Sequence, residues 1–512
     1  MKHFPGRAPL PKLAVPPVQR RDLLALAGAW PAGLWLAAAG PALAATPGLD
    51  EPPPPQAQRP LLLPDIDSFM LPNGLEVVVV QRAALPVVTL DLLVRAGSET
   101  DPPGRPGVAA MASALWSKGA RRAGKAVPAA TLARQAEALG SGLDTGSSWG
   151  ASSVTMTVTR PRVAEALSLM ADVLRHPLLA ADELERARAQ ALDGLRVTLR
   201  SPSEVAELVL RRLHWGDVPH GRVAPPAALQ RLRREDLLAF QARWVRPDRA
   251  ALVLVGDVDA TQARALAVRW LGDWAVPAVA APQAELAAPQ AMPDALVLVD
   301  MPGSGQSGVA VAAPYIGSGV ADRAQRFAGV VAQALLGGGY SARLNQEVRI
   351  KRGLSYGASA GAESFAAGGM FSARAQTAHA TAGEVLQLLR QEITRLADAP
   401  PAADELAARQ ATLVGSFARR LETTAGLADL LAGQWAQGRP LADLKTYVPG
   451  VLAVTPAQVQ AFAKAWWPAA SLRAVVVGDL AAAGPGLTAL DPAALRLTMD
   501  TLNLESTTLR QP

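Results

Sequence analysis

Apolar positions in the first folded stretch come in short bursts set apart by turn residues. Phe69-Met70-Leu71 and Leu75–Val80 flank Pro72-Asn73-Gly74, a strong signal for a β-hairpin. Val87–Val94, rich in β-branched residues, predicts a further strand. The period then changes, and helices are predicted at about 106–116, 129–139, 161–174, 181–200, 203–213 and 234–244. Pro161 suits a first helical turn and Pro202 ends the 181–200 run. Strands return at 152–159 and 250–255. Strand pairs alternating with helical hairpins predict an α+β fold, a largely antiparallel sheet with helices packed on one face.

The pattern repeats. Phe240 and Trp244, then Pro247, then Val253-Leu254-Val255-Gly256-Asp257 close one half; Phe462 and Trp466, then Pro468, then Val475-Val476-Val477-Gly478-Asp479 close the other. Phe to Trp is four residues and Trp to Gly twelve in both. Each copy is a helix passing through a proline break into a buried strand that ends on a Gly-Asp turn, with the tryptophans as core anchors. Two homologous domains follow, 64–276 and 294–490, each a mainly antiparallel sheet packed with helices. They are joined by a Pro/Ala-rich linker at 277–293, which carries Pro277, Pro282, Pro289 and Pro293. Residues 491–512 form a tail without a clear signal.

A length of 512 residues, 50% of them hydrophobic and 18% charged, fits a globular chain of more than one domain. Residues 1–44 read as an export signal. Arg20-Arg21 precede an apolar run from Leu23 to Gly40, and Ala42-Leu43-Ala44 is a small-x-small cleavage site. The arginine pair resembles a twin-arginine signal, although Gln19 stands where Ser or Thr is usual. An uncleaved membrane anchor is the competing reading, opposed by Pro31 in a run barely long enough to span. Residues 45–63, with Glu51-Pro52-Pro53-Pro54-Pro55, read as an extended arm.

The leader carries four units of the net charge of +6, which leaves about +2 on the mature chain by charge counting. No basic stripe with interleaved aromatics remains to suggest nucleic acid, and no later run predicts a membrane span. The absence of cysteine excludes disulfides and thiolate metal sites. The five histidines are His3, His176, His214, His220 and His379. His214 and His220 lie six apart, wrong for one helical face, and read as surface or satisfied core residues.

Two segments carry a family resemblance that spans roughly residues 64–490. The first is Gly107-Val108-Ala109-Ala110-Met111-Ala112-Ser113-Ala114-Leu115-Trp116-Ser117-Lys118-Gly119. In its place after the hairpin it resembles the zinc-site helix of the insulinase/pitrilysin (processing-peptidase) family, which writes Gly-Leu-Ala-His-x-x-Glu-His. There, two histidines one turn apart ligate zinc and the glutamate takes a proton from the metal-bound water. The resemblance places those roles on Ala110, Ala114 and Ser113. The family's third ligand, a glutamate on a helix with a Glu-Arg-x-Arg pattern, falls on Gly194, or on Asp193 one residue away. A methyl group cannot bind zinc, and a serine hydroxyl is a poor base near neutral pH.

The second segment runs from Gly337-Gly338-Gly339-Tyr340-Ser341 through Arg349 and Arg352 to Gly353-Leu354-Ser355-Tyr356. It resembles the C-terminal domain of the same family, in which an arginine and a tyrosine seven residues apart reach the substrate held at the other domain's zinc. The match assigns these roles to Arg349 and Tyr356, with Arg352 a poorer fit to the spacing. As fixed donors, a guanidinium and a phenol can hold a peptide carbonyl and the oxyanion formed from it. The resemblance therefore implies a non-catalytic subunit of a heteromeric zinc peptidase in the bacterial periplasm. Such a chain binds no cofactor itself; zinc belongs to a homologous partner, and an unfolded peptide is the substrate. An inert structural or peptide-binding scaffold of the same fold is the alternative.

Overall fold

The predicted hairpin forms around Gly74, with β1 (Asp67–Met70) antiparallel to β2 (Glu76–Gln81). The structure, a computed structural model, describes residue 61 and residues 63–511; the export signal and most of the Pro-rich arm lie outside the described residues. Next come β3 (Val87–Val94), a small hairpin of β4 (Gly119–Arg122) and β5 (Lys125–Pro128), then β6 (Asp144–Ser147), β7 (Ser152–Thr159) and β8 (Ala250–Gly256). The C-terminal half contributes β9 (Leu296–Asp300), β10 (Ser307–Tyr315), β11 (Ser355–Phe365), β12 (Gly368–Thr377), β13 (Arg473–Gly478) and β14 (Leu495–Thr498).

The first sheet runs β1-β2-β8-β3-β7-β6 and the second β14-β9-β13-β10-β12-β11. Five strands keep one order, β2-β8-β3-β7-β6 against β9-β13-β10-β12-β11, so the sequence repeat is a structural one; the sixth differs, because β1 precedes β2 and is antiparallel to it whereas β14 comes last and is parallel to β9. Only the β2–β8 pair is parallel in the first sheet, and β9–β13 and β9–β14 in the second. Gly256 and Gly478 close equivalent central strands for one steric reason. A Cβ on Gly256 would lie 2.1 Å from the Val87 carbonyl oxygen, and one on Gly478 would lie 2.3 Å from Ser307 Oγ. The residues read as a tail supply β14, the outer strand of the second sheet. The tryptophans at the repeat differ: Trp244 is buried, Trp466 is half-buried, and Trp467 beside it is fully buried, donating Nε1–H to the Pro314 carbonyl.

Helices do not lie on one face only. Within each half, alternate residues of the sheet face that half's own helices: Val77, Val79, Leu252 and Leu254 in the first, Leu298, Val309, Val311 and Val476 in the second. The other face is covered by a helix from the opposite half. Val78, Val80, Val253 and Val255 pack against Leu427, Leu431 and Trp435 of the helix Thr424–Ala436. Val297, Val299, Val475 and Val477 pack against Val205, Val209, Leu213 and Trp215 of the helix Pro202–Trp215.

Polar anchors fix both exchanges. Trp435 Nε1–H donates to Glu76 at 2.8 Å, and Arg95 stacks over the Trp435 ring while donating to its carbonyl. Arg211 forms a two-oxygen ion pair with Glu363 of β11. The two halves thus bury each other's sheets, and residues 61–512 form one compact unit. The linker has no regular structure, but Val279 and Pro282 accept hydrogen bonds from Arg246 and Arg249.

Candidate functional site

The helix Val108–Trp116 begins at Gly107, and Asp101 caps its start. The Asp101 carboxylate accepts from the backbone N–H groups of Gly107 (2.7 Å) and Ala109 (2.8 Å). Burial nevertheless pushes its pKa up to about 7, because the two hydrogen bonds offset only part of the desolvation. At the other end Trp116 Nε1–H donates to Gln241, which locks the helix against its neighbour. Ala110 and Ala114 lie one turn apart and exposed, presenting only methyl groups. Ser113 is buried, and its hydroxyl donates to the Ala110 carbonyl at 3.0 Å. It is an internally satisfied hydroxyl rather than a base.

The helix Ala181–Thr198 packs against the first helix, as a third-ligand helix should. Gly194 is exposed on it, with open space where a Cβ would stand. Asp193, the other candidate for that place, is exposed and paired with Arg196 at 2.5 Å. These residues do not fit zinc. Among the described residues no group of three His, Asp or Glu side chains is arranged to hold a metal ion. His214 is buried with Nε2–H donating to the Gly369 carbonyl, and burial pushes its pKa down to about 4. His379 donates from Nε2 to Ser304 and accepts at Nδ1 from Ser307.

The second segment assembles a cationic site. The predicted short helix is one α-turn, Arg343–Asn345, followed by a π-turn, Gln346–Ile350, in which Lys351 N–H reaches back five residues to Gln346. Turns of this kind are frequent at functional sites. Arg343 is held by Glu405 at 2.7 and 2.8 Å. Buried Asn345 ties the Gly-rich turn to β11, donating to the Tyr340 carbonyl and accepting from Ala358 N–H. Glu347, the carboxylate of the turn, is committed to Lys351 and Arg352. Arg352 is thereby neutralised.

The Arg349 guanidinium is left without a carboxylate or hydrogen-bond partner among the described residues. Its guanidinium carbon lies 4.7 Å from the ring centroid of Tyr356 and 5.0 Å from that of Tyr340. Both rings are open to solvent, Tyr356 at 90% and Tyr340 at 65% exposure. The structure therefore brings Arg349 and Tyr356 together and adds Tyr340. Sequence reasoning missed Tyr340, and its only cue was an aromatic residue directly after three glycines.

Residues 76–222 match the family described as Insulinase (Peptidase family M16), and residues 231–413 match the Peptidase M16 inactive domain. The chain belongs to the insulinase (M16) peptidase family. Among relatives of this M16 chain is an uncharacterized zinc protease of Streptomyces coelicolor, 24% identical over 406 residues, which cover 77% of this chain and 85% of that protein. A crystal structure of a peptidase M16 inactive domain from Pseudomonas fluorescens has a TM-score of 0.73 at 26% identity, covering 81% of this chain and 98% of that one. The periplasmic protease PqqL of Escherichia coli shares the fold at a TM-score of 0.68 and 16% identity, over 82% of this chain and 46% of that one. In this M16 chain the zinc site is degenerate, and the chain is a non-catalytic peptidase-like scaffold.

Proposed function

We propose that this chain is the non-catalytic subunit of a heteromeric zinc peptidase. It forms half of the peptide-binding chamber and supplies Arg349 and Tyr356 to a substrate bound at the partner's zinc. The observation that carries this reading is the half-buried Arg349 cation, stacked against two exposed tyrosines and neutralised by no carboxylate among the described residues. A charge kept accessible and rigid is of little use to folding and well suited to a peptide carbonyl or oxyanion. Zinc and its bound water belong to the partner. On this chain the Arg349 guanidinium and the Tyr356 phenol donate to the scissile carbonyl oxygen as it gains negative charge. β11, which carries Tyr356, is the open edge of its sheet, so an extended peptide can add alongside it.

Export to the periplasm is part of the same reading. It is supported by the Arg20-Arg21 leader and by the fold shared with a periplasmic protease. No helix among the described residues is long and apolar enough to cross a membrane.

The test is kinetic. Arg349→Ala combined with Tyr356→Phe leaves the complex assembled and slows its peptide hydrolysis by roughly a hundredfold, the scale of one lost oxyanion donor. Unchanged turnover assigns the stack to a scaffold instead.

A further inference from the structure

A cleft of about 480 Å³ opens where the N-terminal half, the linker and the C-terminal half meet. That volume falls within the roughly 300–1,000 Å³ of small-molecule sites. Trp149 and Phe365 form an edge-to-face aromatic wall, with Arg95, Glu99, Arg249 and Ser318 also lining it. Phe365 ends β11, nine residues from Tyr356, so at about 3.3 Å per residue the cleft lies roughly 30 Å along the strand from the Arg349 stack.

Several polar groups here lack partners. The Glu99 carboxylate is largely covered and accepts no hydrogen bond from the described residues. His220 Nε2 lies 3.4 Å from it. His220 is buried, stacked on Phe365 at 4.0 Å, and neither of its ring nitrogens has a hydrogen-bond partner. Ser318 Oγ is buried without a partner as well. Arg95 donates from Nε and Nη2 to the Trp435 carbonyl, which leaves Nη1 free, and it makes no ion pair among the described residues. Buried polar groups are normally satisfied, so a cluster of unsatisfied ones around a cleft points to something that satisfies them.

The signs of charge define the ligand. An anion alone would be opposed by Glu99, and a cation alone by Arg95 and Arg249. A molecule with an ammonium and a carboxylate at opposite ends satisfies both, and the aromatic wall adds an apolar side chain to it. The geometry points to a binding site for a short peptide with both termini free: its α-ammonium on Glu99, its α-carboxylate on Arg95 Nη1, and a side chain against Trp149 and Phe365. The site needs no partner subunit and is independent of the role proposed for Arg349.

Isothermal titration of the full chain with the dipeptide Ala-Phe tests this. Saturable binding is expected. N-acetyl-Ala-Phe and Ala-Phe amide should each bind at least about tenfold more weakly, as loss of a charge-assisted hydrogen bond implies. Glu99→Gln should weaken Ala-Phe by a similar factor without lowering the thermal midpoint, since the carboxylate accepts no hydrogen bond from the described residues. Ser318→Ala, a smaller change, should weaken it measurably, and Arg349→Ala should leave it unchanged. The inference is overturned if Ala-Phe does not bind, if the blocked dipeptides bind equally well, or if Glu99→Gln retains full affinity. It is also overturned if Arg349→Ala abolishes binding, which would place the peptide at the other site.

Discussion

Arg349 and Tyr356 are seven residues apart in sequence and meet face-on, guanidinium carbon to ring centroid 4.7 Å, at the mouth of the open strand β11. The Tyr340 ring also stacks on this guanidinium, at 5.0 Å. Exposed cation–π pairs contribute only about 0.5–1 kcal/mol each. Tyr340→Ala should therefore leave the unfolding midpoint nearly unchanged. It should also free the Arg349 side chain and weaken substrate use by the assembled complex several-fold, whereas Tyr340→Phe should retain nearly full activity. Equal losses for both variants would assign Tyr340 a hydroxyl-dependent role rather than one of holding Arg349.

The exposed methyl groups of Ala110 and Ala114 define what restoration requires. Ala110→His, Ser113→Glu and Ala114→His together should not create stoichiometric zinc binding, because Gly194 offers no ligand and Asp193 is paired with Arg196. Adding Gly194→Glu to those three should create it, since the space beside Gly194 is open. Tight zinc binding by the triple variant would make Asp193 the third ligand. Equilibrium dialysis against zinc separates these outcomes.

The exchanged helices predict one cooperative unfolding event. Without the helix Thr424–Ala436, a fragment of residues 64–276 would expose Val78, Val80, Val253 and Val255 as an apolar patch. Such a fragment should aggregate rather than fold. Calorimetry of the mature chain should show a single transition, and Trp435→Ala should lower its stability by about 3–5 kcal/mol. Two resolved transitions would contradict this.

Asp91 lies buried on β3, beneath the same helix, with its pKa pushed up to about 7 by burial and by the Asp429 charge, against one hydrogen bond from Thr155. The native state therefore holds this proton more tightly than the unfolded chain, and Asp91 costs stability as pH rises from about 4 through 7. Asp91→Asn should leave the stability nearly unchanged at pH 4 and raise it at pH 8, by an amount on the order of a few kcal/mol. A benefit that is flat across pH would show that Asp91 is already ionised at low pH. Circular dichroism melts of both proteins at several pH values read this directly.

Much of this was legible in the chain. The β-branched run Val87–Val94 and the bursts around Gly74 marked the first strands, because a buried strand needs little beyond apolar side chains and a turn. Phe240–Asp257 and Phe462–Asp479 revealed the repeat, because equivalent strands meet the same crowding at Gly256 and Gly478. The helix exchange was not legible. The apolar face of Pro202–Trp215 shows that it buries something, and it is equally compatible with either sheet. β14 was missed because Leu495-Arg496-Leu497-Thr498 is too short to stand out from a polar tail. Glu99 and His220 carry no local signal, since they sit on two separate turns, Ser98–Thr100 and Pro219–Gly221, that only the folded N-terminal half brings together.

The decisive measurement is mild affinity isolation of the tagged chain from its own cell envelope, followed by zinc and subunit analysis of the complex. An equimolar companion of similar size with an intact His-x-x-Glu-His motif is predicted, with one zinc per pair and peptide hydrolysis that falls when Arg349 is alanine. A chain recovered alone, inert toward peptides and indifferent to Arg349→Ala, would contradict the split-peptidase role and leave a scaffold.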